Sequence, residues 1–209
     1  MQDPRKTRQV LRHNYTVAGI QDGSFESFKR ELDRNIQHTS LCCTRMMRDY
    51  ILGVRLRIIT VDGMDSTSLV LDCLNGWDLD AIILGGASFA GFNIIDFENL
   101  YKEMNYPIIV FSSVYPDVEA TKQALFKHFK DWKLRIAKYK TLGEIHEFFV
   151  KKYLPPIYYE AVGCSTGFAE KVLKEQSIVS RTPEALRVAD LIAKGVTPIV
   201  QGLLEYVDG

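Results

Sequence analysis

The order of apolar and polar residues divides the chain into two parts. In the first part, three segments rich in β-branched, aromatic and other apolar residues, 15–20, 39–47 and 50–61, predict β-strands. Only a short polar link separates the second strand from the third, which is typical of a β-hairpin. The turn signal Gln21-Asp22-Gly23-Ser24 closes the first strand. We therefore expect three consecutive antiparallel strands.

In the second part, short apolar runs alternate with segments of helical periodicity. The run 81–84 predicts a strand buried on both faces, 107–111 predicts the next strand, and 157–163 predicts a later one. The predicted helices are 66–75, one from a cap at Asp96 through residue 103, 118–129, one from a cap at Ser165 to near residue 176, and 183–195, with a helical or strand-like tail at 197–207. Because helices separate the first two runs, we expect parallel pairing through right-handed crossovers.

Residue types at the helix boundaries support these limits. Aspartates precede three of the predicted helices as N-cap residues: Asp65, Asp96 and Asp117. Thr182 followed by Pro183 is a strong helix start, because threonine caps well and proline is tolerated at the first helical position. Glycines should end two of the helices, at Gly76 and Gly195.

This order of elements predicts the fold class. Three antiparallel strands followed by helix, strand, helix, strand and further helices is the order of a ribonuclease H-like core, an α/β fold with a mixed sheet flanked by helices. We expect one domain over residues 1–209, with residues 1–13 as a flexible N-terminal arm and 25–37 as a loop or short helix.

Composition narrows the possible partners. Lys plus Arg and Asp plus Glu both number 26, so the net charge is zero, which argues against a generally basic nucleic-acid binder but allows a local basic patch. The four cysteines form no C-x-x-C pair, which argues against a zinc site or a disulfide framework and favours a reducing, cytoplasmic location. No apolar run approaches the roughly 20 residues of a membrane span, and the polar N-terminus lacks the apolar core of a signal peptide.

A glycine-rich segment follows the first buried strand. It runs through Gly85-Gly86 and Gly91 to a polar tip at Phe92-Asn93. In open α/β sheets, a strand, a glycine-rich turn and a helix build a site at the carboxyl end of the strand. The same glycines would also serve if they only formed tight turns. No G-x-G-x-x-G or Walker-type motif is present, so a nucleotide cofactor is not indicated.

Acidic residues stand at two predicted strand ends. Asp22 follows the first strand, and Asp62 and Asp65 follow the third. Carboxylate oxygens suit a hard ion, Mg²⁺ or Mn²⁺, and in ribonuclease H-like folds such an ion activates water and stabilises the leaving oxygen of a phosphodiester. Asp22 could equally bond its own turn backbone, and Asp65 could serve as a helix cap. The metal hypothesis requires these carboxylates to meet in space.

Residues 121–152 carry nine positive and three negative side chains, a local excess of six positive charges. Trp132 and Tyr139 are interleaved with the basic residues. Basic residues with interspersed aromatics are typical of a surface that contacts phosphates and stacks bases, although a solvated helix face would show the same pattern. The candidate nucleic-acid contacts in this segment are Lys127, Lys130, Lys133 and Arg135.

Several motifs resemble one known family. They are 18–23 (AGIQDG), 59–67 (ITVDGMDST), 88–96 (SFAGFNIID), Pro116-Asp117 and 182–193 (TPEALRVADLIA). These pieces resemble the archaeal endonuclease dU family, which is related to endonuclease V. The resemblance implies a ribonuclease H-like fold and metal-dependent cleavage of DNA near deoxyuridine.

The resemblance associates the nuclease function with acidic strand-end residues, and our hypothesis assigns the following roles. Asp22, Asp62 and Asp65 would be the catalytic metal ligands. Phe92 would stack on a displaced base, and Asn93 would bond the edge of that base.

One departure from the family pattern opens an alternative. The family often has Leu-Asp-Gly where this chain has Leu84-Gly85-Gly86. Glycine cannot ligate a metal through a side chain, so one charge and one ligand are lost. The sequence therefore supports two hypotheses: a Mg²⁺-dependent endonuclease acting on DNA with deaminated bases, uracil foremost, or a non-catalytic nucleic-acid-binding protein on the same fold.

Overall fold

A computed structural model describes residues 14–25 and 37–208. The strands are β1 Thr16–Asp22, β2 His38–Met47, β3 Tyr50–Thr60, β4 Ala81–Leu84, β5 Ser88–Phe89, β6 Asn93–Ile94, β7 Ile108–Ser112, β8 His146–Phe148 and β9 Ile157–Val162. The helices are α1 Ser66–Leu74, α2 Phe97–Met104, α3 Val118–His128, α4 Trp132–Tyr139, α5 Thr166–Gln176 and α6 Glu184–Asp208. The predicted arm 1–13 and most of the predicted connection 25–37 lie outside the described residues.

Seven strands form one mixed sheet in the order β3-β2-β1-β4-β7-β9-β8. The pairs β1–β2 and β2–β3 are antiparallel, and β1–β4 and β4–β7 are parallel, as the sequence predicted. Strands β9 and β8 complete the sheet in antiparallel pairs. Since β1, β4 and β7 run in the same direction, they end at the same side of the sheet, which we call the carboxyl edge. In open α/β sheets, ligands bind at this edge.

Helices cover both faces of the sheet. On one face, side chains of α1 and α2 pack on alternate residues of β1, β4 and β7; on the other face, α5 and α6 do so. All four residues of β4 are buried, as expected for a central strand covered on both sides. Helix α6 lies especially close to β1, because a methyl group at Gly19 would overlap the Ala185 backbone. The Thr44 hydroxyl donates to the Ala185 carbonyl at 2.9 Å, which fixes the start of α6 beside the sheet.

The predicted end of the last long helix at Gly195 is wrong. Helix α6 continues through Gly195 and Pro198 to Asp208. Both residues are exposed, whereas Ala193 and Thr197 are buried. The Ser40 hydroxyl donates to the Ala193 carbonyl at 2.7 Å, and Thr197 Oγ1 donates to the same carbonyl at 2.9 Å. Burial of this face against β2 therefore outweighs the costs inside a helix of roughly 1 kcal/mol for a glycine and roughly 3 kcal/mol for a proline.

Three further features concern the remaining predictions. Strands β5, β6 and β8 and helix α4 have no counterpart among the predicted elements. The four cysteines are free thiols. Over the described ranges, none of the helices combines the length and the apolar composition that a membrane span requires.

Candidate functional site

The glycine-rich segment after β4 folds into a small antiparallel hairpin, β5–β6, at the carboxyl edge. Its tip, residues 90–92, has left-handed backbone at Ala90 (φ 45°) and Gly91 (φ 83°). Asp62, at the end of β3, is also left-handed (φ 57°), and its N–H donates to the Ala90 carbonyl at 2.8 Å. Each non-glycine residue held in this region costs on the order of 1–3 kcal/mol. The strained residues therefore lie where the hairpin tip contacts the end of β3.

Two of the predicted carboxylates hold this hairpin tip in place. Asp22 Oδ2 accepts a hydrogen bond from the Ala90 N–H at 2.5 Å, and Asp62 Oδ1 accepts one from the Phe92 N–H at 2.8 Å. Between them, Gly91 leaves room for Asp62, because a methyl group there would overlap Asp62 Oδ1. The strand-end aspartates thus anchor one three-residue loop from two sides.

The third predicted carboxylate belongs to a buried network. Asp65 Oδ2 accepts from the Thr60 hydroxyl at 2.8 Å, and Asp65 Oδ1 accepts from Asn93 Nδ2 at 2.5 Å. Helix α1 does begin after Asp65, but the carboxylate makes no cap hydrogen bond. Instead Asn93 Oδ1 caps the helix by accepting a hydrogen bond from the Ser66 N–H at 3.0 Å.

Asn93 is not placed for the contact predicted from the sequence. Its side chain is completely buried, and Nδ2 also donates to the Thr60 carbonyl at 2.9 Å. Both ends of the amide are therefore bonded within the protein, and in this arrangement none of it is available to the edge of a base. Asn93 instead joins β6 to the start of α1.

Arg135 likewise differs from its predicted use as a phosphate contact. The residue is only 5% exposed and donates to the carbonyls of Asp62 at 2.9 Å, Gly63 at 3.0 Å and Phe92 at 2.6 Å. Its Nε bonds Asp131 Oδ1 at 3.0 Å, and this ion pair lowers the pKa of Asp131. In this position the guanidinium ties α4 to the hairpin tip and to the end of β3, and cannot reach a phosphate in solution.

The other predicted basic contacts are exposed. Lys127, Lys130 and Lys133 form what we call the lysine surface, at the end of α3 and the start of α4. The half-buried Phe92 ring lies 5.4 Å from the Phe129 ring, between centroids, in an edge-to-face arrangement. The hairpin tip and the lysine surface are therefore neighbours.

The residues present do not fit the predicted Mg²⁺ or Mn²⁺ site. Within residues 14–25 and 37–208, no group of three or more His, Cys, Asp or Glu side chains is arranged to hold a metal ion. The three carboxylates have different partners: Asp22 and Asp62 each accept from a different backbone N–H, and Asp65 accepts from Thr60 and Asn93. The expected convergence of the three carboxylates on one ion is not formed.

A carboxylate that the sequence analysis did not select lies at this edge. Asp190 of α6 lines a cleft of about 330 Å³ together with Gln21, Gly85, Phe111, Ser112, Ser113, Thr182, Leu186 and Arg187. Burial raises the pKa of Asp22; the hydrogen bond from Ala90 lowers it, the negative charge of Asp190 raises it, and the charge of Lys194 lowers it. Asp22 and Asp190 thus face the same region. Asp190 could have been selected from the sequence by its spacing, because it follows the buried Leu186 by one helical turn and so lies on the same helix face.

Comparison with solved structures identifies the class of fold. A protein of unknown function from Archaeoglobus fulgidus matches with a TM-score of 0.74 and 26% identity, covering 88% of this chain and 98% of that one. Endonuclease V of Ciona intestinalis, in complex with a 24mer DNA containing an inosine followed by a ribo-adenosine, matches with a TM-score of 0.56 and 14% identity over 93% of this chain and 88% of that one. The predicted ribonuclease H-like fold is confirmed.

Sequence comparison then identifies the family. The chain belongs to the Endonuclease dU family, whose model matches residues 13–197. A UPF0215 protein of Pyrococcus horikoshii is 35% identical over 195 residues, which cover 92% of this chain and 95% of the relative. A UPF0215 protein of Methanosarcina acetivorans is 38% identical over 152 residues, which cover 71% of this chain and 77% of the relative. The family resemblance is confirmed, and at the level of class the family supports a nuclease.

Proposed function

We propose that this protein is a nucleic-acid-binding member of the Endonuclease dU family, with DNA as its partner. The observation that carries the proposal is the exposed lysine surface beside the hairpin tip at the carboxyl edge. Lysines at a protein surface bind phosphates mainly by releasing counterions, so three of them at one place form an electrostatic footprint although the whole chain is neutral.

Contacts inside the protein link this surface to the cleft. Arg135 bonds the carbonyl of Phe92 from α4, and Asp22 bonds the N–H of Ala90 from β1. The hairpin tip is thus held by α4, which carries Lys133 of the lysine surface, and by β1, whose Gln21 lines the cleft. A strand lying along this path would place phosphates on the lysines and a base against the exposed part of the Phe92 ring. Stacking of this kind is worth about 1–3 kcal/mol per base.

The salt dependence of binding tests the proposal. We would measure fluorescence anisotropy of a labelled oligonucleotide over a series of KCl concentrations. The variant Lys127→Gln/Lys130→Gln/Lys133→Gln should bind more weakly at low salt, and the slope of log K against log salt should fall by about 2 to 3, because each lost phosphate contact removes roughly 0.7–0.9. The control is Lys171→Gln, an exposed lysine of α5 on the other face of the sheet. Equal slopes for all three proteins would contradict the proposal.

A second candidate is metal-dependent cleavage of DNA that contains uracil or another deaminated base. Family membership favours it, and so does the position of Asp190, a carboxylate that lines the cleft at the carboxyl edge. The test is incubation of duplexes containing uracil or hypoxanthine with wild type, Asp22→Asn and Asp190→Asn in the presence of Mg²⁺ or Mn²⁺. Cleavage that both substitutions abolish would establish the second candidate, whereas binding without cleavage by the wild type would support the first.

A further inference from the structure

We propose that Gln21 and Lys194 together take the place of a divalent cation beside the cleft: the Gln21 amide fills the space next to Gly85, and the Lys194 ammonium binds the carboxylate of Asp190, which lines the cleft. The inference deepens the proposed function, because it concerns how a strand is held at the same edge. It accounts for a nuclease-like fold whose carboxyl edge does not assemble a set of metal ligands.

The first step is steric and concerns position 85. Gly85 follows β4 directly, and its N–H donates to the Ile20 carbonyl at 3.1 Å, which sets it beside Gln21. A Cβ atom at position 85 would overlap the amide carbon, oxygen and nitrogen of Gln21. The amide therefore occupies the direction in which a side chain at position 85 would project. A neutral group stands where a carboxylate from β4 would have to point.

The second step concerns charge. Lys194 Nζ lies 2.8 Å from Asp190 Oδ1 and 3.0 Å from Oδ2, so both oxygens of this carboxylate are bonded to one ammonium group. The positive charge of Lys194 also acts on Asp22 and opposes the effect of Asp190 there. One oxygen of Asp22 is bonded to the Ala90 N–H. A divalent ion needs six or more oxygen ligands, and it would have to displace the ammonium group to gain those of Asp190.

The resulting cleft offers hydrogen bonds from neutral groups. Gln21 contributes an amide and Thr182 a hydroxyl, whereas the Ser112 hydroxyl donates to the Val114 carbonyl at 2.6 Å and Arg187 is paired with Glu184 at 3.0 Å. Among the described residues, no hydrogen bond is formed by the Gln21 side chain, so its donor and acceptor remain for a ligand. A volume of about 330 Å³ lies within the range of small-ligand sites. The ligand class is a nucleotide unit of the bound strand, held directly and not through a metal bridge.

Titration of the full chain with MnCl₂ tests the inference, with calorimetry to measure heat and electron paramagnetic resonance to count free Mn²⁺. Wild type should show no saturable binding, and neither should Lys174→Met, which changes an exposed lysine of α5. Lys194→Met should gain saturable binding of one Mn²⁺, with a dissociation constant at least about tenfold below the highest MnCl₂ concentration at which the wild type shows none. This variant leaves the sheet unchanged, so its folding is not in question.

A second pair of variants isolates Gln21. Gly85→Asp forces the Gln21 amide to move, whereas Gln21→Ala/Gly85→Asp removes the overlap; the double variant should bind Mn²⁺ at least about tenfold more tightly than the single one. One saturable Mn²⁺ on the wild type that Asp190→Asn abolishes would overturn the inference, and so would Mn²⁺ affinity that none of these variants raises. Oligonucleotide binding in EDTA is measured separately, and its absence would refute the proposed function without changing the metal result.

Discussion

Replacing Arg135 by methionine would remove a buried cation while keeping an unbranched apolar side chain. The guanidinium donates to three carbonyls, those of Asp62, Gly63 and Phe92, and to the carboxylate of Asp131. It also lies 4.3 Å from the centre of the Phe129 ring. The substitution therefore detaches α4 from both the hairpin tip and the end of β3.

The expected loss of stability follows from these contacts. A hydrogen bond to a charged group contributes about 1.5–3 kcal/mol, and a buried acceptor left without a donor costs about 1–3 kcal/mol. The contributions do not add fully, because water can enter beside Asp131, which is partly exposed, and the new side chain keeps some packing. We expect the free energy of unfolding to fall by about 3–5 kcal/mol, because three carbonyls lose their charged donor.

Urea unfolding followed by circular dichroism measures this loss. The midpoint should fall while the m-value stays constant, since the surface exposed on unfolding changes little. Lys133→Met is the matched control, because it makes the same type of change two residues earlier on α4, at an exposed position. Its stability should stay within about 0.5 kcal/mol of wild type, and its oligonucleotide affinity should fall.

The opposite pattern would refute the structural assignment of Arg135. If Arg135→Met unfolded within about 0.5 kcal/mol of wild type and lost oligonucleotide binding as Lys133→Met does, Arg135 would be a phosphate contact in solution. A large loss of stability with oligonucleotide binding retained under folding conditions would support its role as a buried tie.

Two further predictions concern Glu160 on β9 and Gly91 at the hairpin tip. Burial raises the pKa of Glu160 on β9 from 4.5 to about 7, so its contribution to stability is fully present below about pH 4.5 and is lost as the pH rises through 7. Urea unfolding across this pH window measures the effect: the free energy of unfolding of the wild type should fall by up to about 3 kcal/mol as the pH rises, and Glu160→Gln should remove this fall. The same pH profile in the variant and the wild type would contradict the raised pKa of Glu160. Gly91→Ala adds a clash with Asp62 to left-handed backbone strain, whereas Gly76→Ala meets open space at a similar φ of 74°. Gly91→Ala should be the more destabilising by at least about 1 kcal/mol in the same assay, and equal losses would show that the Asp62 contact is unimportant.

Local patterns were sufficient to predict much of the fold. The apolar run of β4 indicated a strand covered on both faces, and the hairpin link between β2 and β3 indicated antiparallel pairing. Three predicted caps accept hydrogen bonds from the expected backbone N–H groups: Asp96 from Asn99, Asp117 from Ala120 and Ser165 from Phe168. Gly195 misled because its local cost is small compared with the burial of the neighbouring helix face, which depends on β2.

The candidate site was predicted less well, because the chemistry of each side chain depends on a partner far away in the chain. Asn93 could be selected as a polar residue at a loop tip, but its bond to Ser66 depends on how the hairpin packs on α1. Arg135 could be counted as a positive charge, but its burial depends on carbonyls 43 to 73 positions away. The three lysines, Lys127, Lys130 and Lys133, are exposed. Their exposure is consistent both with a solvated helix face and with a nucleic-acid contact.

The aspartates of the carboxyl edge show why residue type alone does not decide between an ion site and a binding surface. A strand-end carboxylate can hold a metal only where further oxygen ligands converge on the same ion. Here Asp22 accepts from the Ala90 N–H and Asp190 is paired with Lys194, and in the inference above these hydrogens stand where an ion would be. Asp22 therefore has a structural role that requires no ion, since it holds the hairpin whose tip carries Phe92. We propose that this member of the Endonuclease dU family keeps its acidic edge for shape, and that this shape serves the proposed binding of nucleic acid.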